Sequence, residues 1–380
     1  MERLPTYLFW ISLSVIAYVY FGYPLILFIL SLFLKRKVKV KENYKPKVSL
    51  IIAAYNEERV IKLKLKNSLS LDYPRDKLEI IVASNGCNDK TDKIVKKFLH
   101  RGVILDSTKE KIGKTEAQNR AVKIAKGEVI VFSDANSIYK RDALKKLVRG
   151  FSDPKVGCVC GELKYKKGRR EMVESIYWKY EKIVKRLESK IGSMVGANGS
   201  IYTVRKKDYM PLKPDSISDF LEPIKIFEKG YRVVYEPEAI CHEKPSENIF
   251  AEFRRKVRII VRGLASVKYL TSFLNPLKNI LFSYELWTHK FIRWFLFPLL
   301  IAVFISNIFL VQQNKFYYWF LIVQGIILFF AFLGLISVFL NKKIKVFHFF
   351  LYFLMVNFAG LVALVKFILG ERMTTYKKAR

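Results

Sequence analysis

Residues 48–57 read Val48-Ser49-Leu50-Ile51-Ile52-Ala53-Ala54-Tyr55-Asn56-Glu57, a run of apolar, largely branched side chains that stops at a polar loop. A short run that is apolar throughout is typical of a strand buried on both faces of a sheet. The pattern returns at 78–83 and at 128–132, and helical segments are predicted between these strands. Strands that alternate with helices predict an α/β fold with a mainly parallel sheet and helices on both faces.

Each of the three predicted strands ends in a polar cluster: Tyr55-Asn56-Glu57-Glu58, Ser84-Asn85-Gly86-Cys87-Asn88-Asp89 and Ser133-Asp134-Ala135-Asn136. Ligands of open α/β sheets bind beyond the carboxyl ends of the strands, so these clusters are expected to meet at one crevice. Any single cluster can be explained as a turn, because Asn, Asp and Gly are common turn residues.

Four long apolar runs flank this block, at 7–34, 291–310, 316–340 and 347–369. The length of each run is near the roughly 20 residues that a spanning helix needs, which predicts four membrane crossings. Buried helices of a soluble protein are the alternative, but a small core cannot easily hide four helices that are apolar all round. A cleaved signal peptide is not indicated, because the first run is followed by Lys35-Arg36-Lys37 and not by a small-residue cleavage site.

Lys and Arg residues next to the runs predict the orientation of the chain. The basic segment 35–41 follows the first run, which places the block from about 40 to 270 in the cytoplasm. The basic tail does not fit this orientation, because Arg372, Lys377, Lys378 and Arg380 would lie outside the cell after four crossings. One of the four runs is therefore expected to be re-entrant or interfacial. We therefore expect a multi-pass protein of the cell membrane with an amino-terminal span in 1–36, a cytoplasmic domain over 40–247, amphipathic interfacial helices over 248–290, about three spans in 291–370 and a tail over 371–380.

The excess of basic residues indicates an anionic partner. Lys and Arg number 67 against 33 Asp and Glu, a formal net charge of +34. Anionic lipid headgroups facing a tethered domain explain this excess, with a contribution from a pyrophosphate-bearing substrate. No nucleic-acid partner is expected, since no recognition motif organises the charge. The four cysteines predict neither a disulfide framework nor, with one Cys-x-Cys pair, a zinc site.

Several motifs then resemble those of one enzyme family. Family-2 glycosyltransferases have four successive motifs that are similar to Ala54-Tyr55-Asn56-Glu57, Ser84-Asn85-Gly86-Cys87-Asn88-Asp89-Lys90-Thr91, Gly113-Lys114-Thr115-Glu116-Ala117-Gln118-Asn119-Arg120-Ala121 and Asp134-Ala135-Asn136. The resemblance continues through Gly196-Ala197-Asn198-Gly199-Ser200, Ser218-Asp219-Phe220 and 254–258, and covers roughly residues 45 to 265. The flanking runs resemble membrane-integrated members related to cellulose, hyaluronan and poly-N-acetylglucosamine synthases. The fold implied is the GT-A nucleotide-sugar-binding type.

The resemblance also implies site residues. Donor binding would fall to Ala54, Tyr55, Asn56, Glu57, Asn85, Gly86, Asp89, Lys114, Asn119 and Asp134. Asp219 would be the catalytic base that takes the proton of the acceptor hydroxyl, with inversion at the anomeric carbon. Mg or Mn would be held by Asp134 and Asn136, with His242 as a further ligand or as a simple polar loop residue. The acceptor or the diphosphate would meet Asn198, Gly199, Arg255 and Arg258.

Three departures from the family pattern bear on these roles. Asn85 stands where many relatives have an aspartate that recognises uracil, and Asn136 replaces the second aspartate of the metal motif. In 255–259 only Arg258 is retained from the Gln-x-x-Arg-Trp motif of processive synthases. The segment 250–267 is equally consistent with a catalytic role and with a basic interfacial helix that contacts lipid phosphates.

These patterns predict an inverting glycosyltransferase that moves a sugar from a UDP-linked donor to a membrane lipid or growing glycan, in cell-envelope or exopolysaccharide synthesis. A processive polysaccharide synthase and a catalytically inactive glycosyltransferase-like scaffold are the alternatives. A transporter is less favoured, because the spans carry only Arg293 and Lys366 as charged residues, both near helix ends.

Overall fold

The computed structural model describes residues 3–165, 171–245, 248–270, 273, 277, 279–340, 342, 344–371 and 373, with the backbone alone at 171–177. The basic tail residues Arg372, Lys377, Lys378 and Arg380, on which the predicted orientation partly depends, lie outside the described residues.

An eight-stranded sheet forms the centre of the soluble domain. Its strands are β1 (Val48–Ala54), β2 (Leu78–Ser84), β3 (Val103–Ser107), β4 (Val129–Asp134), β5 (Ile138–Tyr139), β6 (Val156–Tyr165), β7 (Tyr202–Arg205) and β8 (Arg232–Glu243). The spatial order is β3-β2-β1-β4-β7-β6-β8-β5. The parallel arrangement predicted for the first strands is confirmed, since β1 pairs in parallel with β2 and β4, and β2 with β3. Beyond β4 the sheet is mixed, because β7 runs antiparallel to both β4 and β6.

Helices cover the two faces of this sheet. They are α3 (Ile61–Leu69), α4 (Thr91–Lys96), α5 (Lys114–Ile124), α6 (Ala143–Arg149), α7 (Glu171–Ile191) and α8 (Ser218–Glu228). Alternate residues of β1 enter different cores: Leu50 and Ile52 pack on one face of the sheet, and Ile51 packs on the other. The strand is therefore buried on both faces, as its unbroken apolar sequence predicts.

Apolar helices form the second part of the molecule. They are α1 (Arg3–Ala17) and α2 (Tyr23–Phe33), joined by a π-helical turn, then α10 (Ile280–Leu286), α11 (Leu296–Leu310), α12 (Lys315–Phe339) and α13 (Lys345–Ile368). Within the described residues, three helical segments are long and apolar enough to cross a membrane: 3–33, α12 and α13. A fourth crossing is possible only if 280–292 and α11 form one span, and these two helices are bent by 62°. This bent pair contains the predicted run at 291–310, so the run does not form a simple span.

A buried hydrogen-bonded network joins the first apolar helix to the soluble domain and to the bent pair. The hydroxyl of Tyr23 donates to Glu188 Oε1 at 2.7 Å, and the same oxygen lies 2.6 Å from His289 Nδ1. The other ring nitrogen of His289 lies 3.1 Å from Glu181, which also pairs with Arg293 at 2.5 Å. Buried charges must be paired and hydrogen-bonded, and here they pair across three helical segments. His289 is thus hydrogen-bonded through both of its ring nitrogens.

Helix α9 (Ile249–Val267) connects the soluble domain to the last apolar helix. Its apolar face, including Val257 and Val261, packs against Ala359 and Ala363 of α13. The helix is amphipathic, and four of its basic residues, Arg255, Lys256, Arg258 and Arg262, line the cavity described below.

Candidate functional site

A cavity of about 360 Å³ opens at the carboxyl ends of the first strands. The loop after β1 contributes Tyr55 and Glu57, the end of β2 contributes Asn85, and the end of β4 contributes Asp134 and Asn136. The polar clusters that follow three separate strands therefore meet at one edge of the sheet. Residues from α5, α8 and α9 complete the walls.

Asp134 is the last residue of β4 and forms an ion pair inside this cavity. Its Oδ1 lies 2.5 Å from Nζ of Lys114, and about a quarter to a third of each side chain is exposed. Lys114 begins α5 directly after Gly113, whose φ of 94° lies in the left-handed region that favours glycine. The chain thus turns sharply before α5 and directs Lys114 toward the end of β4.

Asp219 lies in the first turn of α8 and lines the same cavity. The backbone N–H of Gly199 donates to Asp219 Oδ2 at 3.0 Å. A Cβ placed on Gly199 would lie 2.8 Å from that oxygen and 3.3 Å from Nζ of Lys114. Only a glycine permits this close approach, so the carboxylate of Asp219 and the ammonium group of Lys114 both lie against Gly199.

A buried lysine holds the loop that carries Asp134. Nζ of Lys64, in α3, donates to Ser133 Oγ at 2.7 Å and to the carbonyl oxygen of Ser137 at 2.6 Å, so it joins both ends of the segment 133–137. Burial lowers the pKa of Lys64 to about 7. Sequence reasoning missed this residue, although Ile61, Leu65 and Lys64 share one helical face and the lysine therefore interrupts an apolar stripe.

The oxygen ligands for a divalent cation are present in the cavity. Asp134 and Asn136 both line it, and a carboxylate with an amide oxygen suits Mg²⁺ or Mn²⁺, whose remaining positions are commonly filled by phosphate oxygens and water. From the end of β8 the residue that reaches the cavity is Glu243, and the predicted ligand His242 is not among the lining residues. The hydroxyl of Ser137 donates to Glu243, which ties β8 to the Asp134 loop. In the described part of the chain, no three His, Cys, Asp or Glu residues form a metal-binding group.

Four residues predicted to bind the donor do not line the cavity and instead shape its loops. Asn56 has a φ of 53° and is hydrogen-bonded through both side-chain atoms to Asn88. Asp89 accepts the backbone N–H groups of Glu58 and Thr91.

The other two are Gly86 and Asn119. Gly86 has a φ of 66°, and a Cβ on it would lie 2.5 Å from the backbone of Glu110. Asn119 is buried and is hydrogen-bonded to Tyr209 and to the backbone of Leu212. These contacts hold in place the loop backbone that carries the cavity-lining residues.

The lining of the cavity is rich in basic residues. Besides Lys114, the cations that line it are Lys185, Lys244, Arg255, Lys256, Arg258, Arg262 and Lys290. Glu252 holds the guanidinium of Arg255 through contacts of 2.8 and 2.9 Å. Asn198, which also lines the cavity, accepts a hydrogen bond of 2.5 Å from Lys185. These cations suit a ligand that carries an anionic group.

Comparison with known proteins identifies the family. The family model described as "Glycosyl transferase family 2" matches residues 49–209. A probable glycosyltransferase of Bacillus subtilis, YdaM, is 30% identical over 293 residues, which are 71% of this chain and 69% of that protein. The chain belongs to glycosyltransferase family 2. The predicted family and enzyme class are thereby confirmed.

Two further relatives extend the comparison. Poly-beta-1,6-N-acetyl-D-glucosamine synthase of Staphylococcus aureus is 28% identical over 243 residues, and the match spans 59% of this glycosyltransferase and 58% of the synthase. The solved structure of the mannosyltransferase PcManGT from Pyrobaculum calidifontis, in complex with GDP-Man and Mn²⁺, superimposes with a TM-score of 0.70 at 23% identity. It covers 95% of this chain and 99% of that one. The predicted GT-A fold is therefore confirmed.

Proposed function

We propose that this family-2 enzyme is an inverting glycosyltransferase that moves a sugar from a nucleoside-diphosphate-sugar, a UDP-linked one, to a membrane lipid or growing glycan. The observation that carries the proposal is the placement of Asp134 and Asp219 in one cavity, where Lys114 pairs with Asp134 and lies, like Asp219, against Gly199. Sugar transfer needs positive charge at the departing diphosphate and a base at the attacking hydroxyl. These two carboxylates and the lysine supply groups of both kinds.

In the proposed reaction, Asp219 accepts the proton of the acceptor hydroxyl as that oxygen attacks the anomeric carbon. The new bond from oxygen to the anomeric carbon forms while the bond to the diphosphate breaks on the opposite face, so the configuration inverts. The N–H of Gly199 fixes the orientation of the Asp219 carboxylate. Lys114 stabilises the negative charge on the leaving diphosphate. Asp134 and Asn136 would hold Mg²⁺ or Mn²⁺, which when bound neutralises further phosphate charge.

The acceptor is proposed to reach the cavity from the membrane side. Helix α9 packs on α13 through its apolar face and presents Arg255 and Arg258 to the cavity. Confinement of enzyme and acceptor to one membrane plane raises their effective concentration. Three or four spans are few for a channel that exports a polymer, which favours transfer of single sugars to a lipid in cell-envelope synthesis. Cytoplasmic placement of the catalytic domain at the cell membrane follows from the basic segment after the first span.

A processive synthase is the second candidate, and the likeness to the staphylococcal synthase favours it. Its expected product differs, because repeated transfer yields a large polymer instead of a glycolipid.

The proposal is tested with native membranes that contain the full chain and a panel of labelled nucleotide-sugars with Mn²⁺. Label is expected in the lipid extract for at least one donor, and its loss is expected in Asp134→Ala and Asp219→Asn. Label in large polymer instead would favour the processive synthase. Absence of both transfer and metal-dependent nucleotide binding would favour the inactive scaffold.

A further inference from the structure

The segment 214–217 leads into α8 and is held by the last two turns of α9. Nη2 of Arg262, a residue with only 6% of its surface exposed, donates to the carbonyl oxygen of Ser216. One turn later in α9, the hydroxyl oxygen of the buried Ser266 accepts the backbone N–H of Ile217 at 3.2 Å. The carbonyl group of Ser216 and the N–H group of Ile217 belong to one peptide unit. Both polar groups of the peptide that precedes α8 are therefore bonded to α9.

The guanidinium of Arg262 also joins this peptide to α5. Its Nη2 donates to Oγ1 of Thr115 at 2.8 Å, and the Thr115 hydroxyl donates to the carbonyl oxygen of Ser216 at 3.0 Å. Two donors use both lone pairs of that carbonyl oxygen. Thr115 is the neighbour of Lys114 at the start of α5, so Arg262 links the start of the helix that carries the lysine with the entry to the helix that carries the proposed base.

The other side of α9 is fixed against the apolar helices. Gly263, the neighbour of Arg262, has no room for a side chain, because a Cβ there would lie 2.7 Å from the ring of Trp294. Trp294 lies in the bend between the two helices of the bent pair, and its carbonyl oxygen would lie 2.5 Å from a Cβ on Gly360 of α13. Helix α9 therefore lies between the apolar helices and the entry to α8, and close packing on the apolar side limits its movement.

We infer that Arg262 is a positioning residue: by holding the peptide before α8, it sets the position of the Asp219 carboxylate relative to Lys114. The inference rests on the proposed function. Asp219 is the second residue of α8 and lies only two positions after Ile217, so a shift of the held peptide moves the proposed base with it. A displacement of about 1 Å from the reacting geometry lowers a rate by up to about 10²-fold. Arg262 also lines the cavity, so direct contact with the diphosphate is the role from which an experiment must distinguish positioning.

The kinetic test compares Arg262→Met with Arg205→Met in the full chain. Arg205 is the matched control, because it also donates to three backbone carbonyl oxygens but does not line the cavity. With Mn²⁺ and the labelled nucleotide-sugar that gives transfer in native membranes, Arg262→Met is expected to lower kcat by about tenfold or more. The KM for that donor and the affinity for UDP should change by less than about threefold, because the variant keeps every group proposed to contact the donor. Arg262→Lys should recover most of kcat, since its ammonium group can still donate to Ser216, and Arg205→Met should leave kcat and KM unchanged.

Hydrogen exchange of the full chain in detergent tests the hold on α8 without any substrate. The backbone N–H groups of 217–221 are expected to exchange about tenfold faster in Arg262→Met than in the unaltered protein, because the start of α8 opens more often. Ser266→Ala removes the acceptor of the Ile217 N–H and leaves Arg262 in place. It should also speed exchange and lower kcat, so it tests the inference even if Arg262→Met does not fold. Arg205→Met should not change exchange over these residues.

Three results would overturn the inference. A fall in UDP affinity as large as the fall in kcat would mean that Arg262 binds the diphosphate. Unchanged exchange over 217–221 in Arg262→Met and Ser266→Ala would show that α9 does not hold the entry to α8. Faster exchange without a fall in kcat would show that the hold does not position Asp219. All three leave the proposed function intact, whereas failure of the unaltered protein to transfer sugar from any donor would overturn that function and, with it, the positioning role.

Discussion

Nζ of Lys114 lies 2.5 Å from Oδ1 of Asp134, so the residue proposed to hold the divalent cation is paired with a cation of the protein itself. A metal ion that binds Asp134 has to compete with this ammonium group. Once a diphosphate is bound, the same lysine is expected to turn toward the phosphate oxygens, because Lys114 and Asp134 are both partly exposed. The pair therefore links metal binding to donor binding.

Replacing the lysine should affect these two steps in opposite directions. Lys114→Met is expected to tighten Mn²⁺ binding without nucleotide by up to about fivefold, because a partly exposed ion pair contributes up to about 1 kcal/mol. The same change should weaken UDP binding in the presence of Mn²⁺ by about tenfold, since a charged contact to the diphosphate is lost. Calorimetric titration of each ligand measures both effects.

Lys145→Met is the matched control for that experiment. It removes a surface ion pair of similar length, 2.6 Å to Asp72, neither residue of which lines the cavity, and should alter neither affinity. If Lys114→Met weakened metal and nucleotide binding together, competition for Asp134 would be disproved.

Asp219→Asn should separate chemistry from binding. The amide keeps the size of the side chain and an oxygen for the N–H of Gly199, but it cannot take up the acceptor proton. The transfer rate is expected to fall by about 10² to 10⁴, the range for general base catalysis. UDP affinity should change by less than about threefold, because the base is proposed to face the acceptor. Substantial residual transfer would remove Asp219 from the role of base.

Gly199→Ala tests the close approach between Asp219 and Lys114. The added methyl group would lie 2.8 Å from Oδ2 of Asp219, so the carboxylate has to move. We expect transfer to fall by about tenfold or more, because small displacements of reacting groups are costly. Gly192→Ala is the control, since its Cβ meets only Leu281 at 3.6 Å, an ordinary contact. Equal rates in both variants would contradict the proposed geometry.

The sequence predicted the first strands of the sheet and the position of Asp134 because these features are local, whereas Asp219 was assigned by the resemblance to the family. An apolar run followed by Asp134 reveals both the strand and the point where it ends. The partners of buried polar residues are not local: Lys64 meets Ser133 across 69 positions, and His289 meets Glu188 across 101. No local pattern encodes such pairs, so neither was found.

Loop residues limit the prediction of site residues for a different reason. Asn and Asp are suited both to turns and to ligand binding, and residue type alone does not say which way a side chain points. Asn56 and Asp89 are therefore indistinguishable in sequence from Asn85 and Asp134, although the first two hold loops and the last two line the cavity. The same holds for neighbours in a strand: alternation directs Glu243 toward the cavity and leaves its neighbour His242 outside the lining.

Glu222 gives a prediction about the stability of the helix that carries Asp219. It lies one turn after Asp219 in α8 and is fully buried; one oxygen accepts the N–H of Met210, and the other has no partner among the described residues. Burial raises the pKa of Glu222 from 4.5 to about 8. Between these two pH values the folded protein binds a proton that the unfolded chain releases, so this group's contribution to stability is lost as the pH rises toward 8.

Glu222→Gln should remove this pH dependence, because the amide does not titrate and still accepts the N–H of Met210. Relative to the unaltered protein, the variant is expected to gain stability steadily from pH 5 to pH 9, by an amount on the order of a few kcal/mol. Thermal unfolding midpoints in one detergent at pH 5, 7 and 9 measure the difference, and Glu110→Gln, an exposed glutamate, controls for the loss of a charge. Parallel pH curves for Glu222→Gln and the unaltered protein would mean that Glu222 is already ionised in the folded state. The carboxylate would then need a cation or water close to α8, and the α8 end of the site would be more hydrated than its packing indicates.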